Sequence, residues 1–517
     1  MKPEKIIDAI GGLRQERIAG AQSRKRAFPL WARYAAAAAA FVLVVTVVGL
    51  SLFPPSAPEP SLPNTDPEHV EGDNLPNKDP EPVEGDNIIY APTRSDAHYF
   101  ATYLAAPNYP EELVYPEEDD YGAISDWELE KLEVAIGSTD IPINFLKESA
   151  AAVLSGSKEN TAFSPISLYM ALSMLAETSN GESRQQILDL LRCDDIDSLR
   201  QGAKQLWQKH YNGDGRLALQ LSNALFLNNR QSFHKDTVDI LATDYYASVL
   251  RGEMGSPEYD ALMQEWISKN TGGMLDDSLE NYTTEEDLAA ILTSTIYFRG
   301  TWTSEFIKER NTVAPFYTTD GERDVEYMHK SGKMPYYMSE NFTAVQMKFT
   351  RNGCMWLIKP DEGVSVEEVI SEGKLMGVLA HGSTSSVYGG EHSPTIILTV
   401  PKFDYTVKND LITPLKKLGV TDVFDEQKAD LSSLIADENV DGNGAYVSAA
   451  GQEVRVTIDE EGCTAAAVTQ ITEQAADAII DKIPEYVEFT LDHPFLYVIV
   501  SEFGEPLFAG TIQDPSK

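Results

Sequence analysis

Residues 163–175 read Phe-Ser-Pro-Ile-Ser-Leu-Tyr-Met-Ala-Leu-Ser-Met-Leu. Apolar residues between positions 168 and 175 recur at helical spacing, as do those at 146–154 and 187–191, so this region is predicted to be helical. Strand-like runs follow at 217–227, 292–298, 343–349, 355–358, 395–403, 446–458, 487–491, 495–500 and 507–511. Because helices come first and strands dominate the later half, residues 141–517 are predicted to form an α+β domain with large antiparallel or mixed sheets.

Further short motifs follow in a fixed order along this domain. They are Gly181 with Gln186-Ile187, Asn223-Ala-Leu-Phe226, residues 266–273, Ile296-Tyr-Phe-Arg-Gly-Thr-Trp302 with Phe306, Val400-Pro-Lys-Phe403, residues 415–424 with Asp430-Leu431, Tyr446-Val-Ser448, residues 489–499 and Pro506-Leu-Phe-Ala-Gly510. Each motif is weak alone. Taken together with residues 163–175, their order and spacing over the whole domain resemble the serpin family.

This resemblance implies a serpin fold of about nine helices and three β-sheets with an exposed reactive loop. It also implies an irreversible suicide-substrate inhibitor of extracellular serine proteases, with cysteine proteases as a second class of target. The target protease cleaves the loop, stays attached in a covalent acyl complex, and is carried along as the cut loop inserts into the central sheet. The alternative is a non-inhibitory serpin that acts as a binding or structural protein at the cell surface.

The reactive loop is expected between residue 460 and about residue 485. Its first part resembles the hinge of inhibitory serpins, in which acidic residues and a glycine precede small residues: Glu460, Glu461, Gly462, Cys463, Thr464, Ala465, Ala466 and Ala467. On insertion as a strand, alternate side chains face the core, namely those of residues 463, 465, 467 and 469. A charge there would be buried without a partner, so the small uncharged side chains favour inhibition. A plain linker or an alanine-rich helical turn is the other interpretation.

Two counts place the bond that the protease would cut. The usual distance from the hinge glycine gives the bond between Ala476 and Asp477, with Ala475–Ala476 as a close second. Counting back from the C-terminal strand gives Lys482–Ile483 instead. The first count is preferred because the length from hinge to bond fixes how far the acylated protease travels. Cleavage after alanine would suit elastase-type or subtilisin-type proteases, and cleavage after Lys482 a trypsin-like protease.

A third set of residues is expected where the central sheet opens. In the family, serines of an early helix join an asparagine and a histidine in a hydrogen-bonded cluster beneath the sheet. Ser164 and Ser167 match the serines, whereas Ser294 and Gln452 stand at the asparagine and histidine positions. Polar partners therefore remain, with a different geometry. Trp302 matches a tryptophan found where the loop first enters the sheet, and it is also expected to be a buried core residue.

The first 140 residues divide into four segments. Residues 34–53 form a run of 20 uncharged residues, and as a helix about 20 residues span the hydrocarbon layer of about 30 Å. Basic residues dominate residues 1–33, so the positive-inside rule keeps that end in the cytoplasm and places the domain outside the cell. Residues 54–95, rich in proline and acidic side chains, are predicted to form an extended stalk. Residues 96–140 are predicted to be an N-terminal extension of the domain.

The protein is therefore predicted to be a single-pass protein of the cell membrane, held by a signal-anchor and carrying an extracellular serpin domain. A cleaved signal peptide is the rival interpretation of residues 34–53. Its apolar region would normally be shorter, lie nearer the N-terminus and end at a small-x-small site. Here residues 1–33 precede the run, and Pro54-Pro55 follow it.

Composition argues against several other functions. The chain has 41 basic and 81 acidic residues, a net charge of −40, which disfavours nucleic acid as a partner and favours a soluble, monomeric domain. Cys193, Cys354 and Cys463 form neither a disulfide framework nor a Cys-x-x-Cys metal site. Residues 437–442 match only the first half of a calcium loop, and a polar turn is preferred there. With no nucleophile elbow and no P-loop, neither catalysis nor a metal or cofactor is expected.

Overall fold

A computed structural model of the protein describes residues 40–51, 88–89, 102–107, 140–211, 218–279, 282–350, 353–371, 387–388, 394–436, 445–460 and 485–517. The α-helices are α1 (Ile143–Leu154), α2 (Pro165–Thr178), α3 (Gly181–Leu191), α4 (Ile196–His210), α5 (Lys235–Asp244), α6 (Pro257–Asn270), α7 (Asp276–Leu279), α8 (Val366–Ser371) and α9 (Ile412–Lys417). Two short 3-10 helices lie at Lys308–Arg310 and Asp422–Phe424.

Helix α2 is buried along its whole length. Its N-terminus is capped by Ser164, whose Oγ accepts a hydrogen bond from the backbone N–H of Ser167. Pro165 occupies the first helical position, where no backbone donor is needed. Because the helix is apolar on nearly every side, it belongs in the interior of the domain. The Ser-Pro pair thus fixes where this central helix begins.

The strands are β1 (Ala40–Ser51), β2 (Ile88–Ile89), β3 (Thr102–Ala105), β4 (Thr161–Phe163), β5 (Ala218–Asn228), β6 (Phe233–His234), β7 (Ala247–Gly252), β8 (Leu288–Gly300), β9 (Thr312–Thr318), β10 (Gly321–Lys333), β11 (Tyr336–Met338), β12 (Phe342–Lys348), β13 (Cys354–Pro360), β14 (Val387–Tyr388), β15 (Thr395–Pro401), β16 (Phe403–Asp410), β17 (Tyr446–Ile458), β18 (Tyr486–Thr490), β19 (Phe495–Val500) and β20 (Pro506–Ile512). The central sheet has the order β16-β17-β1-β8-β5-β7-β3.

Both faces of the central sheet are covered. Along β5, Leu225 and Leu227 pack into the main core, whereas Ala224 and Phe226 pack into a second core beneath α6. This alternation follows from the two-residue period of a strand. Strand β17 alternates in the same way, with Val454, Val456 and Ile458 buried. The sheet is therefore held between α6 on one side and the main core, which contains α2, on the other.

Two further sheets of four or more strands lie within the described residues. One has the order β14-β11-β12-β13-β19-β20-β4, and its C-terminal strands β19 and β20 are buried throughout. The other has four strands in the order β18-β15-β10-β9. In it β18 runs parallel to β15, with Tyr486 opposite Thr395. The described residues thus show the expected α+β architecture with large sheets.

Strand β1 corrects one expectation. Residues 40–51 lie within the run predicted to be a transmembrane helix, but in this structure they form a strand between β8 and β17, antiparallel to both. Within the described residues, none of the helices combines the length and the apolar character needed to cross a membrane. The physical reason is that the valine-rich run favours a strand, and both neighbouring strands offer backbone groups that need partners.

The N-terminal part of the chain contacts the domain at two other places. Ile88 and Ile89, within the range assigned to the stalk, pair with His234 and Phe233 of β6. Strand β3, within the predicted extension, pairs with β7 and forms one edge of the central sheet. Besides β1, residues 88–89 and 102–105 therefore also attach the chain to the domain in this structure.

Candidate functional site: the slot between strands β8 and β17

The space between β8 and β17, called the slot from here on, lies where the predicted reactive loop begins. Strand β17 ends at Ile458, and Asp459 and Glu460 are the last described residues before the loop. The other hinge residues, 461–467, lie outside the described residues. So do the three candidate bonds at 475–477 and 482–483. Glu460 is thus the one predicted hinge residue that the structure describes.

Glu460 is firmly held although the predicted loop begins at this residue. Its side chain is buried, and its Oε1 accepts a hydrogen bond of 3.0 Å from the Nζ of Lys402 and another from the Nδ2 of Asn311. Its carbonyl oxygen accepts a hydrogen bond of 3.1 Å from the backbone N–H of Phe306. Two separate segments of the chain, residues 306–311 and Lys402, therefore fix the point from which the predicted loop leaves the sheet.

The Glu460–Lys402 contact is a partly buried ion pair. Burial raises the pKa of the Glu460 carboxyl, but hydrogen bonds from its own backbone, Lys402 and Asn311 outweigh burial, and the pKa is lowered. Burial lowers the pKa of Lys402, while Glu460 and Glu326 raise it by more. Both shifts favour the charged forms. A buried charge of this kind depends on its partner and is costly to leave alone.

Trp302 joins the two sides of the slot near Glu460. The side chain is buried, and its ring stacks on Phe349 with centroids 4.9 Å apart. Its Nε1 donates a hydrogen bond of 3.1 Å to the carbonyl oxygen of Asp459. Since Trp302 follows β8 and Asp459 follows β17, this bond links the ends of the two strands. These contacts and those of Glu460 form what we call the loop end of the slot.

Next to the middle of the slot lies a neutral cluster formed by Ser164, Ser167, Ser294 and Gln452, all of them buried. The Ser164 backbone N–H donates to the Gln452 Oε1 at 2.9 Å, and the Gln452 Nε2 donates to the Ser164 carbonyl at 3.1 Å. The Ser167 Oγ donates to the Ser294 carbonyl at 3.0 Å. The start of α2 thus binds β17 through Gln452 and β8 through Ser294.

One polar atom of this cluster has no partner among the described residues. The Ser294 Oγ is buried and makes no hydrogen bond with the described residues. A hydroxyl in this situation costs free energy, because it has lost water and gained nothing in exchange. Ser294 stands where the family has an asparagine, whose longer side chain reaches further than a serine. The structure therefore brings the four predicted residues together, with weaker bonding on the β8 side.

Sequence reasoning missed part of the loop end. Lys402 and Phe306 lie within motifs that carried the resemblance, yet their contacts with Glu460 were not predicted. Asn311 gave no signal at all. No group of three or more His, Cys, Asp or Glu side chains within the described ranges could hold a metal ion. The calcium-like residues 437–442 lie outside those ranges.

Comparisons with known proteins agree with this geometry. Residues 137–515 match the family described as Serpin (serine protease inhibitor). Similar proteins include Serpin B11 of Mus musculus, 26% identical over 74% of this chain and 99% of that protein. Plasminogen activator inhibitor 1 of Neovison vison is 26% identical over 76% of this chain and 96% of that protein. The crystal structure of tengpin, a thermophilic serpin, in its native state covers 80% of this chain and 100% of that chain, with 23% identity and a TM-score of 0.60.

Proposed function

Because the chain belongs to the serpin family, we propose that it is a suicide-substrate inhibitor of extracellular serine proteases. The protease would cleave the loop between residues 460 and 485 and remain bound through its own serine as an acyl ester. The cut loop would then enter the slot and carry the protease with it. The nucleophile belongs to the protease, and this chain supplies the substrate loop and the conformational change.

The observation that carries this proposal is that the two ends of the loop are held in different sheets. On one side the loop continues from β17 of the central sheet, beyond the anchored Glu460. On the other side it leads into β18 of the four-stranded sheet, where the Thr395 backbone N–H donates to the Glu485 carbonyl at 3.0 Å. Cleavage would therefore separate a piece attached to β17 from a piece attached to β18.

The hinge sequence supports the direction of movement. The piece attached to β17 begins with Gly462, which permits the chain to reverse direction, and continues with the small residues 463–467. A strand that turns back at this point would lie next to β17 and run antiparallel to it. Small side chains on its inner face could then be buried without unpaired charge.

The proposal is tested by incubating the full-length protein, inserted into lipid vesicles, with purified serine proteases of the elastase, subtilisin and trypsin types. A denaturing gel should show a covalent adduct with at least one of them. Mass spectrometry of the released C-terminal peptide would identify the bond: a peptide starting at Asp477 or Ala476 supports the hinge count, and one starting at Ile483 the basic site. Cleavage by every protease without any adduct would favour the non-inhibitory alternative.

We further propose that residues 34–53 hold the protein in the cell membrane when a bilayer is available, with residues 1–33 in the cytoplasm and the serpin domain outside. The uncharged length of the run and the basic residues before it support this placement. Proteases added to intact cells should remove the acidic region and leave a small protected N-terminal fragment. A soluble mature protein that begins near residue 54 would contradict the anchor and support a signal peptide.

A further inference from the structure

Strand β1 fills the slot completely along its length. Phe41 lies opposite Thr457 on one side and Arg299 on the other, and Thr46 lies opposite both Gln452 and Ser294. The pairing continues from residue 40 to residue 51. One register shift interrupts it on each side, at residues 447–449 of β17 and at residues 288–290 of β8. Along this range, β8 and β17 therefore have no free edge facing each other.

The position of β1 is also the one that the cut loop needs. The loop leaves the end of β17, so a returning strand would be the antiparallel neighbour of β17 on the side of β8. Neighbouring strands lie about 4.8 Å apart, and a single strand already separates β8 from β17. Residues 40–51 and the cut loop cannot occupy this place together.

We propose that residues 40–51 act as an internal plug that occupies the slot in chains whose N-terminal segment is not in a bilayer. In such chains the reactive loop has no place to insert, so a protease would cleave the loop without being trapped. Insertion of the same segment into a membrane leaves the slot empty and makes the protein competent for inhibition. The effect on inhibition rests on the proposed function, whereas the occupancy of the slot does not.

The length of the linker permits both locations. Residues 52–87 separate β1 from β2, and an extended segment of this length reaches on the order of 120 Å. Residues 40–51 can therefore leave the slot while β2 and β3 keep their pairing with β6 and β7. The same valine-rich run is suited to the slot and to the membrane, since the interior of a sheet and a bilayer both favour apolar side chains.

The basic N-terminal segment makes insertion of residues 34–53 into the membrane effectively irreversible. Residues 1–34 carry eight basic and three acidic residues. Once residues 34–53 span the membrane, a return of the segment to the slot would draw these charges through the hydrocarbon layer, which is strongly unfavourable. The plugged form therefore belongs to chains that never entered a membrane, and it would protect the proteases of the cytoplasm from the inhibitor.

Occupancy of the slot is tested by cysteine pairs in the full-length chain, made by cell-free synthesis without vesicles. Val44 and Val454 are register partners, so Val44→Cys with Val454→Cys should form a disulfide on mild oxidation. Val44→Cys with Ala450→Cys is the matched control, since Ala450 pairs with Val48, and should form little. Synthesis in the presence of phosphatidylethanolamine–phosphatidylglycerol vesicles should abolish the first disulfide. Equal yields of the two disulfides without vesicles would overturn the proposal.

The effect on inhibition is tested with Val45→Pro in the full-length chain. Proline lacks the backbone N–H and disrupts a strand in the middle of a sheet, but it is tolerated in transmembrane helices. Ser61→Pro, outside the plug, is the control. Without vesicles, Val45→Pro should form at least about tenfold more protease adduct than the control, and its β8 and β17 amides should exchange faster. Unchanged exchange would overturn the plug, whereas faster exchange without any adduct would support the plug and contradict the proposed inhibitory function.

Discussion

The loop end and the middle of the slot are bordered by different interactions. At the loop end, an ion pair between Glu460 and Lys402 and a tryptophan hydrogen bond join the ends of β8 and β17 to the rest of the domain. In the middle, neutral hydrogen bonds from α2 hold the two strands separately, and the Ser294 hydroxyl has no partner among the described residues. The loop end is therefore expected to contribute more to the stability of the domain than the middle.

The largest effect is expected from loss of the ion pair. Lys402→Met would leave the buried Glu460 carboxylate without its cation, which should lower the free energy of unfolding by about 3 kcal/mol. Lys408→Met is a matched control, because Lys408 pairs with Glu453 but is itself 66% exposed. The control should cost less than about 1 kcal/mol. Urea denaturation measures the free energy of unfolding of both variants. Similar losses in the two would show that the ion pair at the loop end stabilises the protein no more than an exposed ion pair.

A smaller effect is expected at Trp302. Trp302→Phe keeps an aromatic ring next to Phe349 but removes the hydrogen bond to the Asp459 carbonyl. Trp356→Phe is the matched control, since Trp356 is equally buried and its Nε1 has no hydrogen-bond partner among the described residues. Both variants lose similar volume, so Trp302→Phe should be less stable than Trp356→Phe by about 1 kcal/mol. A Trp356 variant that is the less stable of the two would argue against the linking role of Trp302.

Substitutions in the middle of the slot should change stability least. Two serines there should differ in the direction of the change. Ser294→Ala removes a buried hydroxyl that has no partner among the described residues, so stability should stay the same or rise by up to about 1 kcal/mol. Ser167→Ala removes the hydrogen bond to the Ser294 carbonyl and should lower stability by about 1 kcal/mol. Thermal and urea denaturation of the two variants would show the difference. A clear loss of stability in Ser294→Ala would reveal a bond that the structure lacks.

Acidic pH should weaken the contacts at the loop end more than those in the middle of the slot. The pKa of Glu460 is lowered in the folded protein, so its contribution to stability is present above the unfolded-state pKa of about 4.3 and is lost as the pH falls below it. None of the four residues of the middle cluster titrates in this range. Hydrogen exchange of the Phe306 amide, corrected for intrinsic rates, should rise below that pH more than exchange of the Ser164 amide. Glu460→Gln should remove the difference.

Much of the fold could be predicted because its signals are local. The strand predicted at 446–458 coincides with β17, and the run at 292–298 lies within β8. The contact between Asn311 and Glu460 joins residues 149 positions apart, and no local pattern encodes it. Residues 40–51 show a different limit. An uncharged apolar run suits both a bilayer and the interior of a sheet. Its own sequence does not show which of the two it enters, because that depends on whether the edges of β8 and β17 are available to pair with it.

Insertion of the cut loop into the slot is tested most directly by two neighbouring substitutions in the full-length, vesicle-inserted protein. Ala465→Arg places a charge on the face that turns toward the core, whereas Ala466→Arg places the same charge on the opposite face. Both variants should be cleaved by the target protease at the same bond. On a denaturing gel, Ala466→Arg should keep the covalent adduct, and Ala465→Arg should lose it by at least about tenfold because a buried unpaired charge blocks insertion. Equal adduct yields from the two variants would contradict insertion.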